Sequence, residues 1–428
     1  MSTAPVPPAP RTPVAGAHPL DLPFVRSQFP SLSGDWVFLD NAGGSQILGR
    51  VVDRIVDYLL TTNVQLGASY AVSQRAAERL HDAQVRTAEL LNAARPEEIV
   101  MGPTSTMLLQ LLARAMVGQF RPGDEVIVTR ADHESNIGPW VRLEEHGVVA
   151  RFWELNGDTN GLELEDLDRL MTARTRLVCV THASNIFGAI HPIAEITRFV
   201  HERRAKVCVD GVAYAPHRAV DVRELDVDYY ALSFYKVYGP HHAVLYGKYE
   251  QLLELANLYH YFIAKDRIPY KLQPGNPNYE LSYGCIGIAD YLAEVGERAG
   301  ATAVSRRARI EAAFDAIADQ EARLAERLLG YLRQQTRVRI IGPATSDRRL
   351  RVPTVSFIVD GIDSQAIVRH VDSLNIGIRH GDFHSRRLVE HLDLARYNGV
   401  VRVSMVHYNT VDEIDRLVQG LDAVVGGP

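Results

Sequence analysis

Cysteine is scarce: three in 428 residues, too few for a disulfide framework. Cys179 and Cys208 lie inside apolar runs and read as small core residues, with Cys285 the third. No apolar run reaches the roughly 18 residues that a membrane-spanning helix needs. No long basic block occurs and the formal net charge is -6, which argues against nucleic acid and anionic membrane as partners. The apolar core of a signal peptide is missing after the first basic residue. No internal repeat is visible. These absences together lead to the expectation of a reduced, cytoplasmic protein. What is present is ordinary, 46% hydrophobic and 23% charged, and long enough for one large and one smaller domain.

A Pro/Ala-rich tail over residues 1–20 is expected to be disordered. Residues 21–50 read as an N-terminal segment that docks on the smaller domain, 51–300 as the large domain and 301–428 as the small one. Strands are expected at Trp36–Asp40, Glu98–Met101, Glu125–Thr129, Leu177–Thr181, Lys206–Asp210, Val227–Ser233 and Ala243–Tyr246, with helical segments between most of them. That alternation predicts an α/β fold with a mainly parallel sheet between helices. The C-terminal part reads as a βαββα unit: strand Leu350–Val359, helix Asp363–Leu374, strands Gly377–Asp382 and Val400–Met405, and helix Thr410–Val424.

Ligands of such sheets bind at the carboxyl ends of the strands, so polar residues there are the ones to weigh. Thr104, Ser105 and Thr106 open a helix, which is an ordinary N-cap and also a ready anion site. His133, Asn185, Asp210 and Ser233 each follow or end an apolar strand, and Lys236 lies three residues past Ser233. Alone, a strand-end Asp is more often a turn former, and Lys236 could simply emerge into solvent. In this order they suit pyridoxal phosphate. A lysine amine would form the Schiff base, an Asp would hold the pyridine nitrogen protonated, and an imidazole would stack on the ring.

The motifs Phe38-Leu39-Asp40-Asn41-Ala42-Gly43, His133-Glu134-Ser135-Asn136, His182-Ala183-Ser184-Asn185, Asp210-Gly211, Ser233-Phe234-Tyr235-Lys236 and Arg402-Val403-Ser404 give the chain a resemblance. It resembles the class V aminotransferases among the fold-type I pyridoxal phosphate enzymes, above all the cysteine desulfurase-like branch. The resemblance implies a seven-stranded-type sheet in a large cofactor-binding domain and a smaller α+β C-terminal domain. It makes Lys236 the Schiff-base lysine, Asp210 the pyridine-nitrogen partner and His133 the stacking ring, with these three as the catalytic set. Asn185 would lie near the cofactor's O3′ or the substrate. Thr104, Ser105, Thr106, Ser233 and Tyr235 would hold the phosphate. Arg402 would clamp the substrate carboxylate, with Arg379 as a second candidate, and Asn41, Gly43 and His384 would also meet substrate. A homodimer with shared active sites is implied, in which Asn276 of the loop Gln273–Asn278 reaches the partner's phosphate.

The chain departs from that branch in three respects. The loop Arg379-His380-Gly381-Asp382-Phe383-His384-Ser385 has no cysteine, and His384 stands about where a sulfur acceptor would. Ala213 and Tyr235 also replace the usual Gln and His. If extended, the loop would put His380, Asp382 and His384 on one face, as metal ligands can be, although no metal is expected. The expected substrate is an amino acid. The favoured reaction is C–S β-elimination from an S-substituted cysteine in specialised, antibiotic-type metabolism. Decarboxylation coupled to oxidative deamination, transamination, epimerisation and a non-catalytic cofactor-binding scaffold stand as alternatives.

Overall fold

β-branched runs that alternate with helices build the larger of the sheets. The computed structural model describes residues 19–157, 159, 161–302 and 305–425, so most of the tail expected over 1–20 lies outside the described residues. In chain order the strands are β1 (Val37–Phe38), β2 (Ile99–Gly102), β3 (Glu125–Thr129), β4 (Val149–Trp153), β5 (Thr175–Thr181), β6 (Lys206–Asp210), β7 (Tyr229–Ser233), β8 (Ala243–Gly247), β9 (Val338–Ile341), β10 (Thr354–Val359), β11 (Ile376–Gly377), β12 (Arg379–Gly381) and β13 (Val400–Ser404). The large sheet has seven strands in the order β2-β8-β7-β6-β5-β3-β4. Strands β4, β3, β5, β6 and β7 run parallel, and β8 is antiparallel to both its neighbours.

Period-two alternation splits these strands between two cores. Val178, Val180, Val207, Val209, Tyr230 and Leu232 pack on one face with Ile288 and Leu292 of the helix Ile286–Arg298. Leu177, Cys179, Cys208, Tyr229 and Ala231 pack on the other with Leu108, Leu109 and Leu112 of the helix Ser105–Met116. Burial on both faces is why the central strands are almost wholly apolar. All three cysteines are free and buried. Among the described residues no helix is long and apolar enough to cross a membrane.

The second sheet is antiparallel, in the order β12-β13-β10-β9, with a core of its own around Val355, Phe357, Val401 and Leu417. The strand expected over Trp36–Asp40 shrinks to β1. It pairs in parallel with β11, and Asp40 bridges to Ser404. Two strands escaped the sequence reading. Both β4 and β9 are sheet edges, and each carries an arginine (Arg151, Arg339) that interrupts the apolar signal.

Candidate active site

The carboxyl ends of β5, β6 and β7 meet the N-terminus of the helix Ser105–Met116. Ser105, Thr106, His133, Asn185, Asp210, Tyr235 and Lys236 line one cavity there, together with Ser135, Thr181 and Ala213. Residues as far apart in sequence as 105 and 236 converge because parallel strands put all their carboxyl ends on one side.

Lys236 is 8% exposed. Among the described residues its Nζ makes no hydrogen bond or ion pair, and it lies 5.8 Å from the centre of the Tyr235 ring. Burial, then the nearby Arg402 cation, pull its amine down to about 8, against a weaker upward pull from Asp210. Asp210 is buried, which raises its carboxyl, while the Val212 N–H and Lys236 act the other way. The Val212 N–H donates to Oδ1 at 2.9 Å, and among the described residues Oδ2 has no hydrogen-bond partner. Gly211 is needed behind it, because a Cβ there would lie 2.0 Å from the Tyr230 ring.

Burial, with Lys236 next, pushes His133 down to about 3, so its ring is neutral near pH 7. The Ser135 N–H donates to Nδ1 at 3.1 Å, which leaves the ring proton on Nε2. Asp132, the neighbour of His133 in sequence, is wholly buried and raised by that burial to about 8. It binds Asn136 Nδ2, the Thr129 hydroxyl and the Thr181 N–H. Neither Asp132 nor Ser135 was singled out from the sequence. Their only signal was adjacency to His133.

Of the other expected residues, some stand outside this cavity and some line it with their polar groups engaged. Thr104 is exposed and outside the cavity lining, because its hydroxyl caps the helix by accepting from Met107 N–H at 3.0 Å. Ser233 lies one layer back and donates to Ser105 Oγ at 3.0 Å. Asn276, expected at a partner's phosphate and not in this chain's own cavity, stands in a left-handed turn (φ 71) closed by its N–H on Gln273 O. Asn185 lines the cavity, but its amide is committed to the loop: Nδ2 donates to Phe383 O and Oδ1 accepts from Ser385 Oγ.

Asn41 and Gly43 line a second cavity of about 550 Å³, with Asp40, Gln46, Tyr235 and His241. Tyr235 lines both cavities and stacks on His241 at 5.0 Å. The Asn41 amide is occupied by Phe38 O, Ser404 O, Asn409 and Tyr408. Arg402 is 2% exposed and lines neither cavity. Its Nη1 donates to Asn185 O and its Nη2 to Asp40, and its Cζ lies 3.6 Å from the centre of the Phe383 ring. Arg379 is exposed, its side chain at 59%.

The cysteine-free loop is not extended. Phe383 and His384 are both left-handed (φ 51 and 59), so alternate residues do not share a face. Among the described residues no group of three or more His, Cys, Asp or Glu could hold a metal ion. His384 packs on His133 with ring centroids 5.2 Å apart, and its carbonyl accepts from Glu134 N–H.

This donor set fits pyridoxal phosphate. An amine and a carboxylate oxygen that are without partners among the described residues, a neutral imidazole and a helix N-terminus with two hydroxyls face one cavity.

Comparison with known proteins agrees. The chain is 42% identical to the aminotransferase-like protein FGM3 of Gibberella zeae, over 94% of this chain and 98% of that one. It is 35% identical to a quarter-length stretch of the nonribosomal peptide synthetase-like enzyme fsqF of Aspergillus fumigatus, which covers 94% of this chain and 26% of that one. It is 33% identical to the cysteine desulfurase-like protein ustD of Aspergillus flavus, over 95% and 91% of the two chains. Among solved structures it resembles the cysteine desulfurase CsdA of Escherichia coli, with TM-score 0.80 and 26% identity over 95% of this chain and 98% of that one. The fold is also that of a cysteine desulfurase of Thermococcus onnurineus, with TM-score 0.84 and 24% identity over 96% and 100% of the chains. The family model of the class-V aminotransferases matches residues 37–417, and the chain belongs to that family, whose cofactor is pyridoxal phosphate.

Proposed function

We propose that the protein is a C–S β-lyase that acts on an S-substituted cysteine. The observation that carries this reading is the place of the sulfur chemistry. The loop Arg379–Ser385 has no thiol, and Cys179, Cys208 and Cys285 are all buried. A persulfide on the protein has no residue to form on there, whereas β-elimination needs none. Three fungal relatives, one of them named a nonribosomal peptide synthetase-like enzyme, support a place in specialised metabolism.

When bound, pyridoxal phosphate supplies an electron sink for charge that develops at the substrate Cα. The chain's own groups do the rest. Ser105 and Thr106, at the helix N-terminus, hold the phosphate. Asp210 Oδ2 would accept a hydrogen bond from the pyridine N–H and so keep that nitrogen protonated, and the neutral His133 ring would stack on the pyridine ring. Lys236, poised near pH 8, takes the Cα proton as general base. Arg402 fixes the α-carboxylate and His384 borders the substrate beside His133. The Cβ–S bond then breaks and the sulfur leaves as a thiol. Water completes the balance: substrate plus water gives thiol, pyruvate and ammonium.

The enzyme works as a homodimer in this reading. Val56, Leu59 and Leu60 lie exposed on one helix, and Tyr261 and Phe262 protrude from a loop at 97% and 68% exposure. Such apolar exposure supports burial by a second copy, with Asn276 brought to the partner's phosphate. Residues 21–50, 51–300 and 301–428 remain the proposed divisions of the chain.

The test is incubation with S-methyl-L-cysteine and parallel assays for pyruvate, thiol, carbon dioxide and oxygen uptake. Equimolar pyruvate and methanethiol are expected. Carbon dioxide released with oxygen consumed would replace elimination by oxidative decarboxylation. Sulfide from free cysteine, with a persulfide on the protein, would overturn the argument from the missing thiol.

A further inference from the structure

Arg379 and Arg402 are direct cross-strand partners on β12 and β13. Like charges in that position repel. Asp40 lies between them, with Oδ1 3.0 Å from Arg402 Nη2 and Oδ2 3.9 Å from Arg379 Nη1. Among the described residues neither arginine has another ion pair. Two guanidinium charges therefore share one carboxylate. Among the described residues Arg402 Nε is buried and without a partner, so the site has hydrogen-bonding capacity to spare. The Phe383 ring covers the face of the Arg402 guanidinium. A carboxylate binds a guanidinium at its edge, which is where Asp40 now sits. Asp40 also lines the 550 Å³ cavity, its side chain 29% exposed, whereas Arg402 is almost wholly buried.

We propose that Asp40 is a positioning residue that occupies the Arg402 site as a stand-in carboxylate and yields it to the α-carboxylate of an amino-acid substrate by turning to Arg379. The proposal rests on the reading of Arg402 as the carboxylate clamp. Before substrate binds, Asp40 spares the protein a buried, uncompensated cation. After exchange each arginine has one carboxylate. An amine that lacks a carboxylate leaves Asp40 in place, so the exchange selects amino acids over amines of the same size.

The test is calorimetric titration of the holoenzyme with L-alanine and with L-alaninamide, which lacks only the carboxylate charge. Arg402→Gln is expected to abolish the preference for alanine. Asp40→Asn is expected to tighten alanine binding by about three- to tenfold and to leave alaninamide within about twofold. Arg379→Gln is expected to weaken alanine by about twofold or more, even at 0.5 M salt, where mere steering by an exposed charge is screened. That loss should vanish in the Asp40→Asn background. A merely structural Asp40 would weaken both ligands alike, and that result, or unchanged alanine binding, overturns the exchange while the clamp stands. Retained alanine preference in Arg402→Gln overturns the clamp, and the exchange with it. Should Asp40→Asn not fold, the Arg379→Gln titration decides alone: an unchanged affinity at high salt overturns the exchange.

Discussion

The ends of β6 and β7 and the loop after β12 meet at one site, but they are held in opposite ways. Asp210 and Ser233 end strands whose residues are almost all buried and laddered on both sides. Their positions follow from the sheet, and Lys236 follows within one short turn. The loop Asp382–Ser385 has no such frame. It places two successive non-glycine residues in the left-handed region, at a cost of about 1–3 kcal/mol each. Bonds from elsewhere hold it: Asn185 to Phe383 O and Ser385 Oγ, Glu134 N–H to His384 O, and Glu134 to Arg387 at 2.9 Å. In the proposed reading, groups that must meet the cofactor closely stand on the rigid element, and groups that would select a substrate stand on the loop, where sequence can change without disturbing the sheet.

Lys236→Ala probes the rigid side and carries the largest expected effect. The visible absorbance of lysine-bound pyridoxal phosphate should vanish, and its survival would move the covalent site elsewhere. Asp210→Asn comes next, with turnover expected to fall about 100-fold or more and the cofactor still bound. A loss under tenfold would remove Asp210 from the chemistry. The third check is pH. The reactive amine is the neutral form, and the folded Lys236 is depressed to about 8. Capture of pyridoxal phosphate by the apoprotein should therefore rise with pH up to about 8 and level off above it. A rise that continues towards the ordinary lysine value would show that the site does not desolvate the amine. For stability the sign is the same: the cost of burying the charged amine is fully present below about 8 and fades as pH rises from there towards the ordinary lysine value, where the unfolded chain also loses the proton.

The smallest effect belongs to the loop. Asn185→Ala removes two hydrogen bonds and should lower stability by about 1–3 kcal/mol, read by denaturant titration. Proteolysis within residues 382–387 should quicken while the lysine-bound absorbance persists. If that absorbance is lost as well, the two regions are not separable and the contrast between them fails.

Lys236, Asp210 and His133 were legible in the sequence because each is a polar residue at or a few positions past the end of a mostly apolar strand, a local signal that strand geometry converts into a common edge. Thr104 turns out to cap the helix. The cap and the anion site share the same turn, and sequence could not tell which hydroxyl the helix would keep for itself. Asn185 read as a ligand for cofactor or substrate, but its amide is spent on a loop 198 residues away. Edge strands β4 and β9 escaped because an edge tolerates charge.

By itself the sequence determined the α/β alternation, which rests on local periodicity, and the family, which rests on a set of short motifs, and it pointed to Lys236 and Asp210 by residue type at strand ends. Only the tertiary structure decided what surrounds them. Pairing of β1 with β11 and of β12 with β13 brings Asp40, Arg379 and Arg402 together from both ends of the chain. No local pattern encodes such a meeting, because an ion pair across 362 residues depends on how two sheets are placed and not on any run of neighbours.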